Sequence, residues 1–419
     1  MGSLCLEEPC YGTSATAIER IDDSQPKYIR ITDFDDFGIE ENHKYMAAES
    51  YSSKHLLRKN DILFARTGGT VGKTYFYDGT IGDAVFAGYC IRFRFDSSKV
   101  VPKFVYWYTK TETYQNWVKG IQRPAGQPNI NKEEYKSFEI ILPSIAVQQQ
   151  LVDLMDSTNF ARQQKVSQSE ALISSMSNYI HSALGISESL NEKPTIFAIN
   201  SGVTKGARID PEYHNPFYTH RVDKIKKGTH ETLGNIVEFS SETWDQKDFF
   251  DATFPYVEIS GVKLKENSYS ATELAIQDAP SRAKMIVRNG DIIVSTTRPH
   301  RGAIATISCD EADIQIASTG FCVLRKLKRK DVLKEYLQWI LLDDYVLLQM
   351  LQRSSGGNYP AITSDELKKI VIPIPDISVQ KEICAEATRR KKEADKLHSD
   401  AQQEWQAAKE QFERELLGE

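Results

Sequence analysis

No run of 18 apolar residues occurs in this sequence of 419 residues, so no segment is expected to cross a membrane as a helix. The start, Met1-Gly2-Ser3-Leu4-Cys5, lacks the basic flank and apolar stretch of a secretory leader. Six cysteines are scattered without C-x-x-C spacing, which argues against zinc or a disulfide framework and for reduced thiols in a cytoplasmic protein. The eight histidines show no metal-ligand spacing and no nucleophile partner. Positive charge is short as well: 52 Lys and Arg stand against 58 Asp and Glu, a net charge of −6. A simple nucleic-acid coating protein should be basic. Any such binding must therefore come from local basic patches or from a complex with other subunits.

Two stretches imitate enzyme motifs and fall short of them. Gly68-Gly69-Thr70-Val71-Gly72-Lys73-Thr74 follows a strand, but has three residues before its Gly-Lys-Thr where a phosphate-binding loop needs four. Asn215-Pro216-Phe217-Tyr218 resembles the loop that holds adenine in amino-methyltransferases, but lacks the second proline and any Gly-rich cofactor loop upstream. It reads as a turn that starts a second domain.

What is present comes twice. Ile141-Leu142-Pro143-Ser144-Ile145-Ala146-Val147-Gln148 returns as Pro373-Ile374-Pro375-Asp376-Ile377-Ser378-Val379-Gln380, at a spacing of 232 residues. The same spacing links Gly88-Tyr89-Cys90 to Gly320-Phe321-Cys322, Trp107 to Trp339 and Ile130 to Ile362. It falls to 230 between Asp61-Ile62-Leu63 and Asp291-Ile292-Ile293, and to 228 between Tyr28 and Tyr256. A period this long means two tandem domains rather than a solenoid. Cys90 and Cys322 are expected in equivalent buried strands. Asp61 and Asp291 recur too, each beside Asn or Gly at a strand start, which is turn chemistry.

Each copy of the Pro-containing motif leads into a long polar stretch with a thin seam. Leu151, Met155, Thr158, Arg162, Lys165, Ser169, Leu172, Met176, Tyr179 and Ala183 step by four and three. Ile383, Ala387, Arg390, Ala394, Leu397, Ala401, Ala408 and Phe412 keep the same register. That is a coiled-coil seam. Its polar middle would bury a lone helix poorly, so the economical solution packs the two on each other; two independent surface helices are the alternative.

In chain order, strands are expected near 28–31, 60–65, 75–77 (closed by an Asp78-Gly79 hairpin turn), 84–95 and 138–142, with helical spacing over 102–119. The second copy repeats this with strands near 256–259, 291–295, 304–308, 315–324 and 370–374 and a helix over 332–351. The stretch 185–199 reads as a linker, and 200–230 has no counterpart before the first copy.

The loops leaving the strands carry side chains suited to recognition. In the first copy these are Arg66, Thr67, Thr70, Lys73, Arg123, Gln127 and Asn129; in the second, Thr296, Thr297, Arg298, His300, Arg301, Arg353, Ser354, Asn358 and Tyr359. Arg, Asn and Gln make two-point contacts with base edges, whereas Lys, Ser and Thr suit phosphates. Recurrence at corresponding places favours binding over catalysis.

Tyr11-Gly12-Thr13-Ser14, the paired Asp-Ile strands, the Gln127-Pro128-Asn129-Ile130 and Tyr359-Pro360-Ala361-Ile362 loops and the doubled Ile-x-Val-Gln before a long helix resemble the specificity subunit of type I restriction–modification systems. The resemblance implies a mixed α+β chain with two target-recognition domains, 1–142 and 200–374, separated by two long antiparallel coiled-coil helices, 143–184 and 375–419. It implies that each domain reads one half of a split target in double-stranded DNA. The helices would set the gap and dock modification subunits, which carry S-adenosylmethionine and methylate adenine; a restriction subunit can join them. The chain itself would hold no cofactor or metal and catalyse nothing. The DNA-binding set would be Arg66, Thr67, Lys73, Arg123, Gln127, Asn129, Thr297, Arg298, His300, Arg301, Arg353, Asn358 and Tyr359. A stand-alone adenine methyltransferase and a two-domain protein-binding scaffold are the competing readings.

Overall fold

The computed structural model describes all residues except 41, 123–127, 187–191, 201, 203–207, 246–251, 312 and 419. The chain packs as two units, residues 1–166 with 399–419 and residues 167–398. Both are α+β, and each takes in part of both long helices.

The first unit contains two four-stranded sheets. One runs Cys10–Tyr11, Cys90–Phe93, Asp61–Ala65, Thr74–Tyr77, antiparallel throughout. All five residues of Asp61–Ala65 are buried, as a short apolar run covered on both faces should be. The other runs Ala17–Glu19, Met46–Ala48, Lys27–Ile29, Ala84–Phe86, and its last pair is parallel. The second unit repeats the antiparallel sheet as Val237–Ser240, Phe321–Leu327, Ile292–Ser295, Ile304–Thr306. The parallel pair recurs too, with Tyr28 opposite Val85 in one unit and Tyr256 opposite Ile316 in the other. Cys90 is fully buried, whereas Cys322 is only half-buried.

Several local expectations need correction. The helical stretch 102–119 is two helices, Pro102–Tyr108 and Glu112–Ile121, because Thr111 accepts the Tyr114 N–H and caps the second. The stretch 332–351 divides in the same way, into Lys334–Ile340 and Asp344–Arg353, with Asp343 accepting the Tyr345 N–H at 2.9 Å. Asp78-Gly79 closes no hairpin: Thr74–Tyr77 and Ala84–Phe86 lie in different sheets, and the turn carries the chain between them. No strand forms at 138–142, since no strand among the described residues lies beside it. Its counterpart Val371–Pro373 is a strand because His230–Thr232 pairs with it.

The first long helix runs Ile145–Ser174 and resumes as Met176–Ala183; the second is unbroken over Ile377–Leu417. Their seam residues are buried or half-buried at the expected positions. In the first unit Leu151 and Met155 share a core with Ala408 and Phe412, Phe412 stacks on Phe104 at 5.6 Å, and Lys165 pairs with Glu404. In the second unit the pairing is antiparallel: Ser169 Oγ donates to Ala394 O at 3.0 Å, Arg390 to Ser175 O at 3.1 Å, and Tyr179 OH to Glu382 at 3.1 Å. These contacts exclude two independent surface helices. Of the polar seam positions, Lys165, Ser169 and Arg390 find partners across the seam, whereas Thr158 and Arg162 bond within their own helix and Arg162 also lies over the Phe37 ring; the break at Ser175 falls where Arg390 reaches its carbonyl.

The recurring glutamine of the doubled motif explains why that motif is repeated. Gln148 is 1 % exposed; its Oε1 accepts the Val101 N–H at 2.9 Å and its Nε2 donates to Pro143 O at 2.9 Å. Gln380, at 0 %, accepts the Leu333 N–H at 2.9 Å and donates to Pro375 O and Asp331 O, both at 2.8 Å. Each glutamine thus ties the first turn of a long helix to the start of a helix in its own repeat. Gln380→Met keeps the shape and strands these buried partners, so it should cost about 1–3 kcal/mol per unpaired group in urea unfolding. The exposed Gln403→Met should change stability by no more than ~0.5 kcal/mol.

The two recurring aspartates do turn chemistry and more. Asp61 accepts the Arg58 N–H at 2.7 Å and Asp291 the Arg288 N–H at 3.0 Å. Each is also ion-paired below the surface, Asp61 with Arg94 at 2.7 Å and Asp291 with Arg325 at 2.9 Å. Glu7 joins Arg94 in the first cluster, and Glu242 joins Arg288 and Arg325 in the second. The Arg288 guanidinium beside Glu242 is the main reason that its carboxyl is lowered to about 2 from the ordinary 4.5. A depressed carboxyl contributes stability above its unfolded-state value and loses it as pH falls. The advantage of the wild type over Arg288→Met should therefore be full above about pH 4.5 and vanish near pH 2. Glu242 is 38 % exposed, so screening limits that advantage to ~1 kcal/mol. Denaturation midpoints measured from acid to neutral pH test it, and a difference independent of pH would contradict it.

Candidate nucleic-acid interface

In each repeat the central strand of the antiparallel sheet delivers a loop, and a second loop following a helix is bonded against it. In the first repeat, Gly68 N donates to Pro128 O at 3.1 Å and Ile130 N to Arg66 O at 2.9 Å. In the second, Arg298 N donates to Pro360 O at 2.7 Å and Ile362 N to Thr296 O at 2.9 Å. The isolated bridges correspond as well, Thr67 with Asn129 and Thr297 with Ala361. One backbone frame therefore carries two different sets of side chains.

The first set brings Arg66, Thr67 and Asn129 together. The Arg66 guanidinium lies 4.8 Å over the Tyr11 ring with Nε 3.5 Å from Asn129 Oδ1, and Thr67 Oγ1 donates to Pro128 O at 3.3 Å. Tyr11 is fixed in turn, since its hydroxyl accepts the Lys132 N–H at 3.1 Å. The loop is pinned from below by two fully buried tyrosines. Tyr135 OH donates to Ala65 O at 2.7 Å and accepts the Gly72 N–H at 3.2 Å, and Tyr114 OH donates to Gly72 O at 2.9 Å. Next to Tyr11, Gly12 is required by close approach: a Cβ there would sit 2.2 Å from Phe86 O. Lys73 is half-buried at the loop's end, and its carbonyl accepts the Ala65 N–H. Arg123 and Gln127 lie outside the described residues.

The resemblance of 68–74 to a phosphate loop disappears in three dimensions. Gly68–Thr70 is one turn of 3-10 helix, and Thr74 begins a strand where a phosphate loop would open a helix. The Thr74 hydroxyl is buried in a 2.6 Å bond with Thr109, out of reach of a metal ion. Asn215 is likewise no base-holding loop. It caps the helix Pro216–Ile225, accepting the Phe217 N–H at 2.9 Å, and is 4 % exposed.

The second set brings Thr297, Arg298, Asn358 and Tyr359 together. The Arg298 guanidinium lies 4.2 Å over the Tyr359 ring and donates twice to Asn358 O, from Nε at 3.2 Å and from Nη2 at 2.9 Å. Tyr359 is 70 % exposed. Arg301 is exposed beside them. His300 is half-buried with Nδ1 unpaired; burial, then Arg301 and Arg298, push its pKa below the ordinary value, which favours the neutral ring. Arg353 stands apart from this set. Its guanidinium pairs with Glu366 at 2.9 Å and is 17 % exposed, and Arg208 holds the carbonyls of Arg353 and Ser354 at 3.0 and 3.2 Å. Ser354 is buried with its hydroxyl on Met350 O, and the Thr296 hydroxyl donates inward to Gly320 O. These three brace the loops. Sequence reasoning passed over Tyr114, Tyr135 and Arg208 as loop supports, because only their partners, 42, 70 and 146 residues along the chain, reveal the role.

The sequence model of the type I restriction modification DNA specificity domain matches residues 14–163 and 229–389. The HindI type I restriction enzyme specificity subunit of Haemophilus influenzae is 29% identical over 155 residues, 36% of this chain and 32% of that protein. The chain thus spans about a third of that relative. The MjaVIII specificity subunit of Methanocaldococcus jannaschii is 19% identical over 333 residues, 78% of this chain and 71% of that one. A chain from a structural study of complex assembly and conformational transition in the type I R-M system is similar in fold, with a TM-score of 0.50 at 15% identity over 99% of this chain and 95% of that chain. Each matched segment takes in the greater part of one repeat, and the chain belongs to the type I restriction–modification DNA specificity family, with two copies of its specificity domain.

Proposed function

We propose that this chain is the DNA-recognition subunit of a type I restriction–modification complex, each repeat reading one half of a two-part target in double-stranded DNA. The observation that carries the reading is the shared frame with unshared side chains. Matching backbone bonds hold 66–70 on 128–130 and 296–301 on 358–362, yet Arg66 and Asn129 stand in one and Arg298, Asn358 and Tyr359 in the other. A fixed frame with exchanged polar side chains is what sequence readout needs, since position comes from the scaffold and specificity from the base-edge contacts.

The chain contributes no chemistry of its own on this reading. S-adenosylmethionine would be held, and adenine methylated, by modification subunits docked on it; a restriction subunit can join the assembly. The acidic net charge of −6 then follows, because partners supply part of the cation density that holds DNA. The long helices, paired along their seams, would set the gap between the two half-sites.

Three outcomes are expected. The isolated chain should neither transfer methyl groups nor hydrolyse ATP; turnover at ordinary enzyme rates would overturn the assignment. In the complex with modification subunits, Arg66→Ala with Asn129→Ala should alter the reading of one half-site, and Thr297→Ala with Asn358→Ala that of the other. Removing one two-point base contact should weaken competition binding by about 1–3 kcal/mol; equal effects on both halves at constant salt would refute the division. Finally, four residues inserted after Ser169 with four matching ones beside Ala394, its partner across the seam, lengthen the helix pair by about 6 Å. With base pairs about 3.4 Å apart, the preferred gap should grow by roughly two base pairs. A library of targets differing only in gap length reads this out, and an unchanged preference would remove the helices as the ruler.

A further inference from the structure

We propose that Arg298 is a guanine-reading side chain of the second repeat, at a position that is glycine in the first. The proposal rests on the DNA-recognition reading above and names one base for one residue.

The backbone at this point of the frame is left-handed in both repeats. In the first repeat the position is Gly68, with φ of 72°, and its N–H bonds Pro128 O. The corresponding residue of the second repeat is Arg298, with φ of 48° and ψ of 50°, and its N–H bonds Pro360 O. A residue with a Cβ is disfavoured there, and arginine has no short side chain to bond locally as Asn or Asp does. The loop itself needs only glycine, as the first repeat shows. An arginine at such a position points to the side chain as the reason.

The side chain is also held in one plane. The Tyr359 ring lies under the guanidinium at 4.2 Å, and Asn358 O takes one edge of it, through Nε and Nη2. The end edge, formed by Nη1 and the second hydrogen of Nη2, remains: among the described residues Nη1 has no acceptor. Two parallel N–H groups fixed in a plane require two acceptors side by side. In the major groove only guanine offers that pair, O6 and N7; adenine presents an acceptor beside a donor, cytosine a donor and thymine one acceptor. A phosphate would also take two bonds, but needs neither the fixed plane nor the strained backbone, and Arg301 is exposed next to the site for that purpose.

The test uses the complex of this chain with its modification subunits and a target library in which one base pair at a time is varied, at constant salt. The wild type is expected to prefer guanine at one position of one half-site by roughly 5- to 150-fold, the value of one good two-point contact. Arg298→Gly should flatten that position alone and leave the other half-site unchanged. Its thermal midpoint should be equal or higher, because glycine accepts the backbone conformation. Arg298→Lys should keep most of the affinity and lose the preference. The inference is overturned if Arg298→Gly retains the guanine preference. It is also overturned if that variant weakens every sequence equally and, with binding repeated across a series of salt concentrations, shows a salt slope reduced by about one, which marks a phosphate contact, or if its midpoint falls, which marks a structural arginine. A wild-type complex with no sequence preference anywhere would instead refute the recognition reading itself, an outcome distinguishable from these.

Discussion

A buried glutamine at the first turn of each long helix is the constraint on which the rest depends. A side-chain amide offers donors on one atom and an acceptor on the other. Gln148 uses both, on Val101 N and Pro143 O, and Gln380 does the same on Leu333 N and Pro375 O with Asp331 O in addition. In water such bonds contribute little net, but an unpaired buried group is costly, so the arrangement is strongly specified once the site is closed. The helix and its recognition domain therefore leave the joint in one orientation. The apolar contacts that follow, Leu151 and Val152 with Phe104 in the first unit and Ile383 and Ala387 with Leu337 in the second, lie where that joint places them.

Beyond the joint, the proposed reading assigns stability and specificity to different atoms. Backbone bonds, the Asp61–Arg94 and Asp291–Arg325 pairs and the tyrosines beneath the first loop fix the frame. The side chains on the outer surface of the frame take little part in that. Arg66, Asn129, Asn358 and Tyr359 lie outside the core, so on the proposed reading they can be exchanged while the frame stands. Arg353 marks the limit of the separation. It sits in a recognition loop by sequence, but Glu366 draws its guanidinium inward and turns it into a brace.

The repeat was legible because its spacing survives in residues with physical duties: the Gln pair, the Asp pair and the residues of the parallel strand pair. The helix seam was legible because Ile383, Ala387, Ala394, Ala401 and Phe412 fall on one register of alternating four- and three-residue steps, and all are at most 3 % exposed. What failed was local punctuation. Thr111 and Asp343 read equally well as helix interior or cap, and only the bonds to Tyr114 N and Tyr345 N decide between them. The strand at 138–142 failed for the opposite reason, since a strand exists only when a neighbour pairs with it. Within each repeat the candidates do meet, 66–67 with 129 in the first and 297–298 with 358–359 in the second. The ion pairs of Arg94 and Arg325 and the tyrosine supports stayed invisible because each depends on a partner far along the chain.

The central claim is that one chain reads two separate half-sites. Its most direct test is to reconstitute the chain with its modification subunits, methylate a random-sequence DNA library and sequence the methylated positions. The account predicts two short constant elements separated by a gap of fixed length and free sequence, with methylated adenine in each. A single uninterrupted motif, or two elements at variable spacing, would contradict it.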